Sequence, residues 1–429
     1  MDNASNPPVA RLSGPISSAE RIATIDIVRG FALLGILIMN MPGFSTSFFA
    51  EADGSHLWTD KLNQYAELGR DMLFSGKFNS MFSLLFGLGF TIQLGRMMAR
   101  DPENAVGLYC RRLAVLMVFA LGHVLIFWGG DVLHLYTVLG VGLLLLRRAS
   151  NRTIYFLLAG CLVYPAISGT LRILVMTPEM VQHQVAEAKV WEASNNLAYG
   201  HGSFLQAARE HTREFIYIYT TPLELWGYLG FYVQMTTTML LGFLIGRNGW
   251  VRRIPELLPR IRRLQWTALA VGVVCAVTFG VLGEMHRTPG PSPIKILISF
   301  AYVACRLGLM IFYVLTLVRL AQVPAWQKRL APMAAAGRMP LTNYLAQTLM
   351  ATTLFYGWGF GWWGQVGPAA GLLLAFAIFF LIQVPLSIWW LRRYEYGPLE
   401  FLWRTLTYGR RPELRLSPAL SSGARQEST

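Results

Sequence analysis

The stretch Ile25–Asn40, IDIVRGFALLGILIMN, decides the class of the chain. Eleven consecutive residues, Gly30 to Asn40, carry no charge, yet the run opens on Asp26 and Arg29 and closes on an amide. A charge placed in or beside a bilayer is costly, so it comes with a partner or a task. On a helix Asp26 and Arg29 lie one turn apart on one face, and Asp26 also meets the positive end of the helix dipole. Eleven residues make about 16 Å of rise, so Asn40 falls on nearly the face of Arg29 at the other end. A polar stripe along a spanning helix is one reading. Simple anchoring of the helix at its interface is the other.

The rest of the chain repeats the pattern. It is 54% hydrophobic and only 14% charged, and its apolar residues gather in runs near the ~20 residues that span a bilayer. The formal charge of +14 does not signal nucleic acid, because Lys and Arg cluster at the ends of apolar runs rather than along one soluble face. The four cysteines have no paired spacing and read as packing residues, with no disulfide framework and no metal knuckle. The expected fold is all-α: a polytopic integral membrane protein of about ten transmembrane helices, near 25–45, 72–93, 110–128, 132–147, 153–176, 225–246, 265–283, 294–318, 340–357 and 368–391.

Alternate connections differ sharply in Lys and Arg. One set, with both termini, holds 26 of the 37 and the other holds 7. The positive-inside rule then puts both termini in the cytoplasm of a bacterial inner membrane. The uncharged loop GWGFGWWG, Gly357 to Gly364, suits the outer interface, where indole rings sit among headgroups. Five regions follow: a disordered tail over 1–20, spans one to five over 21–176, an outer helical segment over 177–222, spans six to ten with the cytoplasmic end over 223–409, and a second disordered tail over 410–429. The tail before Arg21 lacks a basic n-region and a cleavage site, which argues against a signal peptide. The outer segment contains two helix-like stretches broken at GHGS, Gly200 to Ser203, readable as a lid, a partner-binding element or packing.

DIVRGFALLGILIMN resembles the opening of the YeiB-like family, domain of unknown function 418. GKFNSMFSLLFGLGF (from Gly76), RRLAVLMVFALGHVLIFWGGDVLHLYTVLG (from Arg111), GRMPLTNYLAQT (from Gly337) and YGPLEFLWRTLTYG (from Tyr396) are family-like as well. The family is similar, more distantly, to transmembrane acyltransferases such as heparan-alpha-glucosaminide N-acetyltransferase and the sugar O-acetylating acyltransferase-three proteins. That resemblance implies transfer of an acyl group from cytoplasmic acyl-CoA, a co-substrate and not a permanently bound cofactor, to a hydroxyl or amine near the outer leaflet. In the acyltransferase-three proteins an Arg is followed eleven positions later by a basic His. Arg29 matches the Arg, but the His position is Asn40, and an amide cannot take the proton. His56 occupies the first outer loop, where the heparan-type enzymes keep an essential His, but GSHLWTD does not match their motif.

Either His56 substitutes loosely, acyl transfer has been lost, or the base has moved, and for a moved base ALGHVLIFWGGDVLHLY offers the candidate. His123 lies below a tight GGD turn, and Asp131 and His134 open the next helix. A carboxylate beside an imidazole raises its basicity and fixes its tautomer, which suits His123 as base and Asp131 as its partner. Against this, Asp131 makes a good N-cap, and a His in a membrane bundle is often a hydrogen-bonded core residue. Their spacing matches no metal-ligand pattern.

At the other side, Arg29, Lys77, Arg338 and Arg404 form a candidate donor-phosphate group, with Asp26 and Glu400 as ion-pair support; planar arginines bind phosphate bidentately. Lipid headgroups or topology alone would also explain Arg338 and Arg404. Asn343 and Gln347 share a helix face and, with Asn40 and His134, are candidates for lining a substrate pathway or holding helices together. Expected partners are membrane lipid, an acyl donor and a glycan or lipid acceptor, with a homodimer as a candidate assembly and no nucleic acid. A transporter or permease, or a silent scaffold of the same fold, would use the same polar residues without making a bond.

Overall fold

The computed structural model describes residues 23–415, so the two expected tails lie outside the described residues over 1–22 and 416–429. Residues 410–415 are described: Glu395 N–H donates to Leu414 O (2.9 Å), and Tyr394 and Arg415 form an isolated bridge. No sheet exists among the described residues, and the protein is an all-α polytopic membrane protein.

Eight helical stretches have the length and composition to cross a bilayer. They are α1 (Ala23–Ser45), α2 (Lys61–Leu73) with α3 (Lys77–Arg100), α4 (Ala105–Gly122) with a π turn at His123–Phe127, α6 (Asn151–Val175), α9 (Pro222–Arg247), α10 (Ile254–Met285) with a preceding 3₁₀ turn, α11 (Pro293–Leu320), and the run α14 (Pro368–Ala377), π turn Ile378–Gln383 and α15 (Val384–Leu391). Two of the ten expected spans fall short: α5 (Leu133–Leu145) has 13 residues and α13 (Pro340–Phe355) has 16. At 1.5 Å per residue they rise only about 20 and 24 Å, less than the ~30 Å hydrocarbon core. Both are only partly enclosed, with Val138, Val141 and Leu145 of α5 and Leu349 of α13 exposed, and α13 buries Asn343, Gln347, Thr348 and Thr352, groups that lipid would penalise.

Short amphipathic helices complete the bundle. The segment 177–222 forms α7 (Pro178–Gly200) and α8 (Phe204–Thr220), the latter started by a capping box between Ser203 and Gln206. At the opposite end lie α12 (Pro324–Gly337) and α16 (Pro398–Tyr408). This is the basic end, where α1 begins.

Glycine sets the closest helix crossings. A Cβ on Gly337 would strike Asp26 O, and one on Gly30 would strike Met333 O, so α1 and α12 meet backbone to backbone. Gly87 and Gly242 do the same for α3 and α9. Small residues at such crossings gain close van der Waals packing where no hydrophobic force drives helices together. The main apolar core is built around α1, whose Ala32, Leu33, Leu37 and Ile38 are fully buried, with α13 and the α14–α15 run against it. All four cysteines are free thiols.

Candidate functional site

The π turn that ends α4 carries His123 against the tight loop 128–132. Its Nδ1 lies 2.9 Å from Asp131 Oδ1. The same carboxylate accepts from Tyr344 Oη at 3.0 Å and, through Oδ2, from Leu133 N at 2.9 Å. Burial by itself would raise the Asp131 carboxyl. Hydrogen bonds and charge from His123 and His134 outweigh that and hold it down to about 2. An ionised carboxylate only accepts, so His123 Nδ1 donates to it, and in the neutral imidazole Nε2 is the nitrogen left to act as base. His123 Nε2 is buried and has no partner. The arrangement is that of an oriented base with its basic nitrogen unspent.

His134 sits on the other side of the carboxylate. Its Nδ1 is 3.6 Å from Asp131 Oδ2, and its Nε2 meets Tyr219 Oη at 2.8 Å. Asp131 and His134 are thus joined to His123 as the sequence suggested, whereas Tyr344 could not be foreseen from local spacing.

Beneath this network a cavity of about 330 Å³ opens toward the basic end. Arg29, Arg96, Arg112, Arg338 and Arg404 line its mouth, with Asp26 and Glu400. Phe82, Leu85, Phe86, Leu113, Leu116 and Leu133 line its apolar throat. Tyr344 is at its closed end; His123 and Asp131 lie behind that ring and do not line the cavity. Arg29 pairs with Asp26 at 2.7 Å and donates to Gly337 O at 3.3 Å, which ties the mouth to the α1–α12 crossing. The Arg404 guanidinium stacks 4.3 Å from the centre of the Tyr396 ring, and that of Arg112 stacks 3.6 Å from the centre of a Trp403 ring.

Several expected residues stand elsewhere. Lys77 is not at this mouth: it begins α3, whose far end supplies Arg96, so the cluster takes Arg96 and Arg112 in its place. Glu400 caps α13 rather than serving chiefly as a counter-charge, accepting from Leu341 N (2.6 Å), Thr342 N (3.1 Å) and Thr342 Oγ1 (2.6 Å). Asn343 and Gln347 hold helices together. Asn343 Nδ2 donates to Ala336 O and Ser387 Oγ, and Gln347 Nε2 to Leu33 O and Gln383 Oε1. Neither lines the cavity, nor does Asn40.

On the far side of the His123 turn, α8 inserts a polar face. Glu210, His211 and Glu214 are all buried. Gly129 N–H donates to His211 Nδ1 at 3.2 Å, Tyr199 Oη lies 2.9 Å from the same nitrogen, and Thr212 Oγ1 donates to Leu125 O of the π turn at 3.1 Å. Burial depresses His211 to about 3, aided by the nearby His123. Burial also pushes Glu214 up to about 7, with Glu210 adding repulsion and hydrogen bonds from Tyr199 and Asn195 opposing it. The signal for this cluster was the 207, 210, 211, 214 spacing, which is one helix face.

His56 lies apart, with its Nε2 2.6 Å from Glu284. Glu51, His56 and Glu67 bring ligand-type atoms within 4.8 Å of one another, but Arg287 takes Glu51 (2.9 Å) and Arg70 takes Glu67 (3.3 Å). The network is an arginine-balanced clasp between the α1–α2 loop, α2 and the end of α10.

Residues 245–410 match the family model described as "Protein of unknown function (DUF418)". The Uncharacterized protein YxaH of Bacillus subtilis (strain 168) is 29% identical over 405 residues, covering 92% of this chain and 96% of that protein. The Uncharacterized protein YeiB of Escherichia coli (strain K12) is 28% identical over 429 residues, covering 90% and 96%. No solved structure matches. With relatives that run almost end to end and a family match over its C-terminal part, the chain is similar to the YeiB-like DUF418 proteins, and its helical, membrane-type architecture agrees with that likeness.

Proposed function

We propose that this protein transfers an acyl group from a phosphate-bearing thioester donor, of the acyl-CoA type, to a hydroxyl or amine acceptor. The observation that carries the reading is the cavity: an arginine mouth, an apolar throat, and at its end a tyrosine bonded to the Asp131 that orients His123. Its volume lies at the lower end of the range for small-molecule sites. In the reaction His123 Nε2 takes the acceptor's proton as the acceptor oxygen or nitrogen bonds to the thioester carbonyl. The carbon–sulfur bond then breaks and the thiolate leaves with the proton returned by His123. Tyr344 stands between the donor's path and His123, so its ring must swing aside for the acceptor to reach Nε2. In this reading the basic end faces the cytoplasm of a bacterial inner membrane, and the acceptor arrives from the α7–α8 side.

The test is release of thiol from acyl-CoA thioesters by the purified protein in lipid nanodiscs, with and without hydroxyl and amine acceptors. Thiol release that depends on His123 is expected. No release from any acyl-CoA tried, with solute uptake into proteoliposomes instead, would replace the transferase with a transporter.

A further inference from the structure

Helices α2 and α3 form one span with a break. The chain turns at residues 74–76, and Gly76, at φ 74°, precedes α3 without any side-chain cap. The break lies deep: Gln234 and Arg306, which border it, sit near the middles of α9 (Pro222–Arg247) and α11 (Pro293–Leu320). A helix that starts inside a bundle presents its dipole and its first-turn N–H groups there. Phe78 and Asn79 N–H have no intrahelical partner by position.

Two cations converge on this helix start. Lys77 is 0% exposed and Arg306 is 1% exposed. Lys77 Nζ donates to Asp71 O at 2.8 Å and lies 5.8 Å from the centre of the Tyr302 ring. Arg306 Nη1 donates to Ser80 Oγ at 2.6 Å and to Gln234 O at 3.3 Å. All these acceptors are neutral. Among the described residues no carboxylate forms an ion pair with either cation; Asp71, whose charge reaches Lys77, has its carboxylate on Arg70 at 2.8 Å, and the Cys305 thiol is the other side chain at Lys77. Arg306 Nε is buried and unpartnered. It is one bond from Cδ, which lies 3.0 Å from where a Cβ on Gly76 would stand, so it belongs to the break itself. A buried charge without a counter-charge costs several kcal/mol even after relaxation, and here two of like sign adjoin a positive helix end. At the cavity mouth, by contrast, Arg29 is paired with the Asp26 carboxylate at 2.7 Å.

We infer that the α2–α3 break, Lys77 and Arg306 form a binding site for a phosphate-class oxyanion at mid-depth in the bundle, distinct from the arginine cavity. The fork of Arg306, the point charge of Lys77 and the uncapped start of α3 are the complementary partners for such a group. Its source is either free phosphate or the phosphate of an anionic lipid.

The experiment uses the full chain in two kinds of nanodisc. In neutral phosphatidylcholine discs, inorganic phosphate is titrated while the unfolding midpoint and retention of radiolabelled orthophosphate are followed. In phosphatidylglycerol discs no phosphate is added. A rise of a few degrees with phosphate, and retained label, identify free phosphate; the same rise with phosphatidylglycerol alone identifies the lipid. Either effect should weaken at least tenfold in Lys77→Gln and in Arg306→Gln. Without ligand both variants should be at least as stable as the wild type, because each loses an uncompensated buried charge. The proposal fails if the wild type responds to neither source, if the response survives unchanged in both variants, or if both variants are strongly destabilised without ligand.

Discussion

His123 with Asp131 and His56 with Glu284 are two imidazole–carboxylate pairs of nearly the same length, 2.9 and 2.6 Å. Each also has a ring nitrogen without a partner. Their surroundings separate them. The side chains of His123 and Asp131 are 2% and 0% exposed, those of His56 and Glu284 26% and 43%. In a dry interior a fixed carboxylate acts on the imidazole at low dielectric, and Tyr344 and Leu133 hold that carboxylate still. At a wet surface water screens the same contact, and an exposed pair contributes little. Distance therefore does not tell a base from a clasp; burial and what else holds the carboxylate do.

The largest expected effect tests that contrast directly. His123→Ala should lower acyl transfer by about 10²- to 10⁴-fold, the usual cost of removing a general base, while still inserting and folding, with a lowered thermal midpoint because Asp131 loses a buried partner. His56→Ala should stay within about twofold. Equal loss in both, or full activity in His123→Ala, would erase the distinction.

The α8 cluster next to His123 gives a pH signature that the exposed clasp lacks. With Glu214 raised from its ordinary 4.5 to about 7, the group is neutral in both folded and unfolded states below pH 4.5. Its contribution is lost as pH rises from 4.5 through 7, to a total of about 3 kcal/mol. His211, lowered from 6.5 to about 3, has the opposite slope, losing stability as pH falls below 6.5. Glu214→Gln should therefore be more stable than wild type above pH 7, equal to it below 4.5, and should retain only the acid-side loss. Chemical denaturation across pH 4–8 would show this, and a constant offset at every pH would contradict it.

A smaller effect is expected at the cavity mouth. Arg29→Lys keeps the charge but loses the planar guanidinium, whose Nη1 serves both Asp26 and Gly337 O while its other N–H groups remain for a phosphate. A rise of about tenfold in the KM for acyl-CoA with kcat little changed is expected. No change in either would reduce Arg29 to an anchor.

Much of the fold was legible because charges stand out in apolar runs. Asp26 and Arg29 mark the start of α1, and the GGD turn after His123 places Asp131 and His134 beside it. Three things were less accessible. Tyr344 reaches Asp131 across 213 residues of sequence, and no local period encodes that contact. Lys77 resembles Arg29 in residue type but opens a helix running the opposite way to α1, so chain direction, and not charge, separates the two. Arg96 and Arg112 look like topology charges in sequence, and only packing turns them toward a shared cavity. The short lengths of α5 and α13 were hidden because a partly enclosed helix is as apolar as one that faces lipid along its whole length.

The two π turns, His123–Phe127 and Ile378–Gln383, both border α13, and each carries a residue bonded into its polar side: His123 beside Tyr344 through Asp131, and Gln383 to Gln347 and Asn343. A π turn accommodates one residue more than an α turn, so the helix on one side of it is rotated in phase against the other. Val118, Leu121 and Ile126 stay on the exposed outside while His123 is turned inward. The extra residue behaves as a local insertion: deleting one position between Val124 and Phe127 would restore the ordinary pitch and carry the Trp128–Asp131 loop round by about 100°. The polar interior is thus written in helix phase as much as in residue type, and shifting the register by a single residue would dismantle it while leaving the composition of every span nearly intact.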